Sequence, residues 1–405
     1  MTVSRLAPYA VTIFAEMSAL AASVGAVNLG QGFPDEDGPA AMLEAAQRAI
    51  RDGVNQYPPG LGTLELREAI AGQRKRRFGV DYDPASEVLV TVGATEAIAA
   101  AVIGLVEPGS EVALIEPFYD SYAPVVAMAG CHRVTAPLIP DGRGFALDVD
   151  ALRRTIGPRT RALIVNSPHN PTGTVLSADE LTAIAAVAVD NDLLVITDEV
   201  YEHLTFDGAQ HRPLAALPGM AERTITISSA AKMFNCTGWK IGWACGPADL
   251  IAGMRAAKQY LSYVGGAPFQ PAVALALNTE DRWVDALRAS MQSRRDTLTA
   301  ALTDLGFEVH PSSGTYFLCA DPRPLGYRDS TEFCQQLPHQ VGVAAIPLSA
   351  FCDPGGPHFA AWNHLVRFAF CKREDTLEEG IRRLGTLQRG DHPPQRLRGR
   401  PIVPQ

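Results

Sequence analysis

Thr224-Ile225-Thr226-Ile227-Ser228-Ser229-Ala230-Ala231-Lys232 is the stretch on which the reading of this chain turns. Thr224 to Ile227 is a β-branched apolar run, the composition of a buried strand. Two serines, two alanines and a lysine follow, and then the glycine-bearing Gly238-Trp239-Lys240-Ile241-Gly242-Trp243. A lysine just past the end of a buried strand sits on a rigid element with little water around it. Desolvation lowers the pKa of an amine and makes it a candidate for imine chemistry. The plain alternative is a solvated surface lysine, the commoner fate of this residue type. Three other segments decide between the two.

On either side the chain alternates short apolar runs with longer amphipathic ones. Strands are predicted at 88–92, 111–115, 162–165, 193–197 and 224–227, with helices over 95–106 and 179–189. Uninterrupted β-rich runs separated by helices indicate a buried, mostly parallel sheet. Ser177-Ala178-Asp179-Glu180 reads as a capping box. Asp37 and Pro39 open a helix with Met42, Ala46 and Ile50 on one face, stopped by Gly53. Further on, a long helical pattern runs over 281–305 to Gly306. Strand-like pieces follow at 314–318 and 365–370, and Asp375 begins a last helix bearing Leu377, Ile381 and Leu384. The expected fold is α/β: a large domain, its mostly parallel sheet flanked by helices, and a smaller α+β domain. The expected boundaries are 1–44 for an N-terminal segment of the small domain, 45–278 for the large domain and 279–387 for the rest of the small one. A disordered tail rich in Pro, Arg and Gly is expected over 388–405.

Composition narrows the function. With 405 residues and 47% hydrophobic content, the chain can bury a large core. A net charge of -9 disfavours nucleic acid and anionic membranes as partners, both of which call for a basic surface. The one basic run, Arg74-Lys75-Arg76-Arg77, reads as a solvated face near a helix C-terminus. Seven scattered cysteines form no C-x-x-C, and the nine histidines show no metal spacing, so no metal site is expected. The longest uncharged apolar runs are too short to span a bilayer and no signal-peptide pattern is present, which makes the cytoplasm the expected location.

Four segments fall at the C-terminal ends of predicted strands, where open α/β sheets place ligands. Gly93-Ala94-Thr95 lets backbone N–H groups at a helix start approach an anion, although many strand–helix turns look alike. Asn166-Ser167-Pro168-His169-Asn170-Pro171-Thr172-Gly173 is a stiff turn that aims an amide; His169 in it reads as structural rather than catalytic. Asp198-Glu199-Val200-Tyr201 puts an acid at the end of a buried strand, costly unless it meets a cation or strong donor, with a helix cap as the alternative. Glu199 is the poorer ligand because side chains alternate along a strand. Ser229 and Lys240 complete the set as anion holders around Lys232. An amine, a buried acid, an aimed amide and anion donors together are what pyridoxal 5′-phosphate requires.

The chain resembles the fold-type-I pyridoxal-phosphate aminotransferases of class I/II from Arg5 to about Leu387. The motifs carrying the likeness are Asn28-Leu29-Gly30-Gln31-Gly32-Phe33-Pro34-Asp35, the Asn170-Pro171-Thr172-Gly173 string, 198–201 and 229–242. The resemblance implies that Lys232 forms an imine with the cofactor aldehyde and moves a proton, and that Asp198 pairs with the ring nitrogen. It implies that Tyr201 and Asn170 bond the ring oxygen, and that Tyr119, or Phe118 instead, stacks on the ring. Gly93, Ala94, Thr95, Ser229 and Lys240 would hold the phosphate, and Tyr57 would reach the phosphate of a neighbouring subunit in a homodimer. Gly32, Asn170 and Arg367 would bind the substrate carboxylate, a surface charge on an edge strand being the alternative for Arg367. Lys240 stands where the wider class has Arg, and Ala231 where it has Ser; both departures recur in the kynurenine, glutamine and methionine aminotransferase branch. Segments 14–18, 116–122 and 230–240 are similar to the bacterial N-succinyldiaminopimelate aminotransferases of lysine biosynthesis. That likeness implies a ping-pong exchange between an amino donor and a 2-oxo acid. The alternatives are transamination of another amino acid and β-elimination from cysteine conjugates. No G-x-G-x-x-G follows a strand, which disfavours a nicotinamide dehydrogenase. The first motif begins by Asn28, which leaves no helix-turn-helix domain of a transcription regulator ahead of it.

Overall fold

The computed structural model describes residues 2–387; the tail expected over 388–405 lies outside them. Fourteen strands occur among the described residues. In chain order they begin with β1 (Val27–Asn28), β2 (Val88–Val92), β3 (Glu111–Glu116), β4 (His132–Asp141) and β5 (Gly144–Leu147). Next come β6 (Thr160–Asn166), β7 (Leu194–Asp198), β8 (Thr224–Ser229), β9 (Ile241–Cys245) and β10 (Glu308–His310). The last are β11 (Phe317–Asp321), β12 (Val343–Ala344), β13 (Ile346–Pro347) and β14 (Val366–Ala369).

Eight of these form one sheet in the order β2-β9-β8-β7-β6-β3-β4-β5. β8, β7, β6, β3 and β4 are mutually parallel, whereas β9 runs antiparallel to both β2 and β8, and β5 antiparallel to β4. Val195, Ile196, Ile225, Ile227, Val112 and Leu114 are all buried, as strands covered on both faces require. The reversal at β9 has a direct effect on the site. β8 ends at Ser229 and β9 begins at Ile241, so the whole connection between them stays at one edge of the sheet. That edge also receives the C-terminal ends of β2, β3, β6 and β7.

A second sheet, β10-β11-β14-β13, is fully antiparallel. β1 pairs in parallel with β12, which ties the N-terminal segment to the C-terminal part of the chain. The helix Ile13–Val24 buries Met17 and Ala21. The stretch Ala7–Val24 is long and apolar enough to cross a bilayer on length and composition alone. It nevertheless carries Glu16, is interrupted before Ile13, and turns Phe14 toward the interior. The seven cysteines are all buried free thiols.

Several expectations need correction. The helix opened at Pro39 spans Ala40–Arg51 and buries Met42 and Ala46, but Ile50 is exposed. The 314–318 piece is not a strand from its start: Thr315 has φ +67° and the strand begins only at Phe317. The last helix begins at Glu374 with Arg373 at its N-cap, so Asp375 lies inside its first turn. The Ser177/Glu180 capping box is present as read. Arg74 departs most from its reading. It is fully buried and paired with Glu199 and Glu202, while Lys75 and Arg76 of that run are exposed. Arg76 and Arg77 reach across to the Leu277 carbonyl and Asp281.

Candidate active site

The C-terminal edge of the sheet opens into a cavity of about 280 Å³. Gly32, Gly93, Ala94, Thr95, Tyr119, Asn170, Asp198, Tyr201, Ser229, Lys232, Lys240 and Arg367 all line it. Tyr57 does not. It is 81% exposed and packs edge-on against Tyr263, with ring centroids 5.5 Å apart. Phe118 is buried in the core and Tyr119 faces the cavity, which separates the two candidates for stacking.

Lys232 sits on the four-residue helix Ala230–Met233 directly after β8. Its Nζ donates to the Gly32 carbonyl at 3.2 Å and lies 5.4 Å from the Tyr316 ring centroid and 5.8 Å from that of Tyr201. The side chain lines the cavity and is only partly exposed. Desolvation therefore pulls its ammonium down to about 8.

Asp198 ends β7, next to Asn166 at the end of β6. Its carboxylate is buried, accepts the Tyr122 hydroxyl at 2.7 Å and the Val200 N–H at 3.3 Å, and has no cation in hydrogen-bond contact. Burial pushes it up to about 6. The local bond to Val200 is the turn contact expected of an aspartate; the bond to Tyr122 is not local. Glu199 faces the other way, to Arg74 and His211, as strand alternation requires.

The helix Gly93–Leu105 begins at the cavity wall, and its N-cap residue Val92 offers no side-chain cap. Gly93 has φ +75°, and a Cβ there would lie 3.0 Å from Lys240 Nζ. Gly242 is equally constrained, because a Cβ on it would sit 2.7 Å from the Ala94 nitrogen. The two bare backbones let the helix start, Lys240 and Ser229 converge on one space. Uncapped N–H groups with an ammonium beside them make an anion cradle.

Opposite lies Arg367 on β14, a strand paired on both sides, so the edge-strand alternative is overturned. Arg367 is 1% exposed and burial lowers its guanidinium to about 10. Nη1 donates to Asn170 Oδ1 and Nη2 to the Gly30 carbonyl, both at 2.8 Å, and Nε has no partner. The guanidinium carbon lies 3.9 Å from the Phe317 ring centroid and 5.3 Å from that of Phe14. A buried cation held without an acid in hydrogen-bond contact is prepared for an anionic ligand.

Three neighbours carried no assigned role in the sequence. Asn166 Oδ1 accepts the Asn170 N–H at 2.7 Å while its amide bonds the Asp198 carbonyl, joining two of the segments. Tyr122 holds Asp198. Tyr316 donates to the Gly32 carbonyl and packs edge-on against Tyr201. Asn166 and Tyr122 lay inside quoted motifs; only their distant partners reveal the contacts. His169 is buried, bonded to Thr172 Oγ1 at 2.7 Å and held neutral by burial at about 3, away from the cavity wall. Glu199, Glu202 and His211 form the one cluster of potential metal ligands among the described residues, and the Arg74 guanidinium already pairs with both acids.

Comparison with known proteins agrees with this geometry. Residues 24–384 match the family model "Aminotransferase class I and II". The chain is 77% identical over 391 residues to the probable N-succinyldiaminopimelate aminotransferase DapC of Mycobacterium tuberculosis, covering 96% of this chain and 98% of that protein. It is 40% identical over 384 residues to the methionine aminotransferase of Escherichia coli, covering 95% and 98%. The solved structure of N-succinyldiaminopimelate aminotransferase from M. tuberculosis superposes with a TM-score of 0.93 at 78% identity, covering 95% of this chain and 99% of that one. A desolvated strand-end lysine facing a buried acid, on a chain matched over nearly its whole length, makes this protein an enzyme that belongs to the class I and II aminotransferases.

Proposed function

We propose that the chain is a pyridoxal-phosphate-dependent N-succinyldiaminopimelate aminotransferase of lysine biosynthesis, exchanging an amino group with 2-oxoglutarate in a ping-pong cycle. The observation that carries the cofactor is the cavity itself. In one space it joins an anion cradle at Gly93, Ala94, Thr95, Ser229 and Lys240, a buried carboxylate without a contacting cation at Asp198, and a desolvated amine at Lys232. These groups fit a phosphate, a protonated ring nitrogen and an aldehyde respectively. The 77% identity over nearly the whole chain supports the substrate.

When bound, the cofactor supplies an electron-poor ring that stabilises negative charge at the substrate Cα. The chain's own residues do the rest. Lys232, whose ammonium burial lowers to about 8, is the amine that would engage the cofactor aldehyde and carry a proton. Asp198, oriented by Tyr122, would hold a proton on the ring nitrogen, Asn170 and Tyr201 would bond the ring oxygen, and Tyr119 would stack on the ring. Arg367, with Gly32 and Asn170 beside it, takes the substrate α-carboxylate. Tyr57, out in solvent in the single chain, completes the phosphate site of a second copy in a homodimer. The same reading takes 45–278 as the cofactor-binding unit, with 1–44 and 279–387 as the smaller one, and places the enzyme in the cytoplasm.

One observation favours a second reading. Among the described residues the cavity is lined by three cations, Lys232, Lys240 and Arg367, all engaged by the roles above. None is left for the distal carboxylates of a succinylated substrate, while Phe14 and Phe317 provide an aromatic wall. A methionine- or kynurenine-type substrate suits that wall. A half-reaction panel decides: the holoenzyme is mixed with N-succinyl-LL-diaminopimelate, methionine, kynurenine and glutamate, and loss of the cofactor's visible band is timed. Fastest loss with the succinylated donor is expected; indifference to it would leave only the second reading. Borohydride reduction should fix the cofactor's mass on the peptide containing Lys232, and Lys232→Ala should abolish both this adduct and turnover.

A further inference from the structure

Behind the cavity, on the face of the 198–202 segment turned away from it, lies a buried ionic network that the reading above does not use. Arg74 comes from the helix Leu64–Phe78 and is 0% exposed. Its Nη2 donates to Glu199 Oε2 at 2.7 Å and its Nη1 to Glu202 Oε2. Glu199 also meets His211 Nε2 at 2.9 Å and accepts the Thr197 hydroxyl at 3.0 Å. Glu202 Oε1 accepts the Ser228 hydroxyl at 3.1 Å. The segment therefore alternates: Asp198 and Tyr201 face the cavity, while Glu199 and Glu202 face Arg74. Ser228 is the immediate neighbour of Ser229 in the anion cradle. One guanidinium thus grips, from behind, the segment that presents the acid and the tyrosine, and through Glu202 and Ser228 it is linked to the segment that presents the serine.

Isolated burial of two carboxylates side by side would be costly, and removing the cation between them would leave that cost uncompensated. Burial by itself would raise the Glu199 carboxyl, but Arg74 and His211 more than offset this and hold it at about 2. Glu199 is therefore a full negative charge one residue from Asp198, and it favours the protonated form of Asp198. Arg74, paired with Glu199, offsets part of that field at its source. The other groups facing Asp198 are Tyr122, Tyr119, Tyr201 and Lys232; the Tyr122 hydroxyl and the Lys232 charge favour the ionised carboxylate, and Glu199 opposes them.

We infer that Arg74 is a positioning residue for the reaction: bridging Glu199 and Glu202, it fixes Asp198, Tyr201 and Ser229 toward the ligand and pairs the carboxylate charge that lies next to Asp198. This deepens the proposed function and rests on the cavity being a pyridoxal-phosphate site.

The test compares purified wild type with Arg74→Lys, Arg74→Met and His211→Asn. Folding is followed by circular dichroism melting without cofactor, pyridoxal 5′-phosphate affinity by absorbance titration, and the pH profile by the glutamate half-reaction. Arg74→Met should weaken cofactor binding roughly ten-fold or more and move the acid limb of the profile to higher pH, with Arg74→Lys recovering much of both. Variants that lose only melting temperature, while keeping wild-type affinity and profile, would reduce Arg74 to a structural ion pair and overturn the inference. Should Arg74→Met not fold, His211→Asn decides. It leaves the Arg74 bridge intact but uncovers Glu199, so a smaller shift of the profile in the same direction is expected and an unmoved profile overturns the inference. Wild-type protein that takes up no pyridoxal 5′-phosphate would instead sink the cofactor reading itself.

Discussion

Asp198 is held at a cost to the fold. Its carboxyl titrates near pH 3.8 in an unfolded chain and near 6 in the folded one. Below pH 3.8 both states carry the proton. As pH rises through about 6 the folded state must give it up in a buried place, and that contribution to stability is lost. Asp198→Asn should therefore stabilise the cofactor-free protein at pH 7.5 by up to about 3 kcal/mol, with little difference at pH 3.5, read from urea unfolding at both pH values. The same variant should lose most turnover, since an amide does not hold a proton on the ring nitrogen. A group kept for function at the expense of stability is a common signature of active sites. The opposite lowering at Lys232 has the opposite effect. The folded state releases its proton near 8 and the unfolded chain near 10.5, so this amine's contribution improves as pH rises across that window.

At the scale of elements, the anion cradle is built from a helix start without a cap, two glycines without room for a methyl group, and one lysine. Inorganic phosphate should occupy it in cofactor-free protein and raise the melting temperature by a few degrees at tens of millimolar. Lys240→Met should remove most of that shift, measured by differential scanning fluorimetry. This cradle was legible in the sequence because it follows from local features: small residues between a strand and a helix, and a lysine just ahead of β9. Most of the parallel sheet was legible for the same reason, since β3, β6, β7 and β8 are short apolar runs, whereas β4, broken by two prolines and charged at its ends, was not read as a strand. What stayed hidden depends on distant partners. β9 was masked by Gly242, and β12 and β13, two residues each, are too short to leave a pattern. Arg74 was misread because three neighbouring cations suggest a wet helix face. Its burial is set by Glu199 and Glu202, more than 120 residues away. Tyr122 and Tyr316 carry no signal for their bonds to Asp198 and Gly32.

At the scale of the whole molecule, the chain returns to its own beginning. β1 pairs with β12, Arg367 of β14 donates to the Gly30 carbonyl, and Phe14 stands over the same guanidinium. The first helix therefore walls the Arg367 end of the cavity. Phe14→Ala should raise KM for the amino donor about five-fold, the equivalent of ~1 kcal/mol of lost cation–π contact, and leave kcat nearly unchanged. Steady-state kinetics at constant cofactor occupancy checks this. The thiols add a last consequence. Seven sulfurs, none cross-linked and none at the surface, are spread from Cys131 to Cys371. Each is a clock that runs only while the protein around it is open. Pulsed alkylation followed by peptide mass spectrometry should find them slow in native buffer. Cys371, whose thiol shares its surroundings with Lys232, should slow further once the cavity is filled. Without a single engineered residue, the enzyme can then report where along its length it breathes.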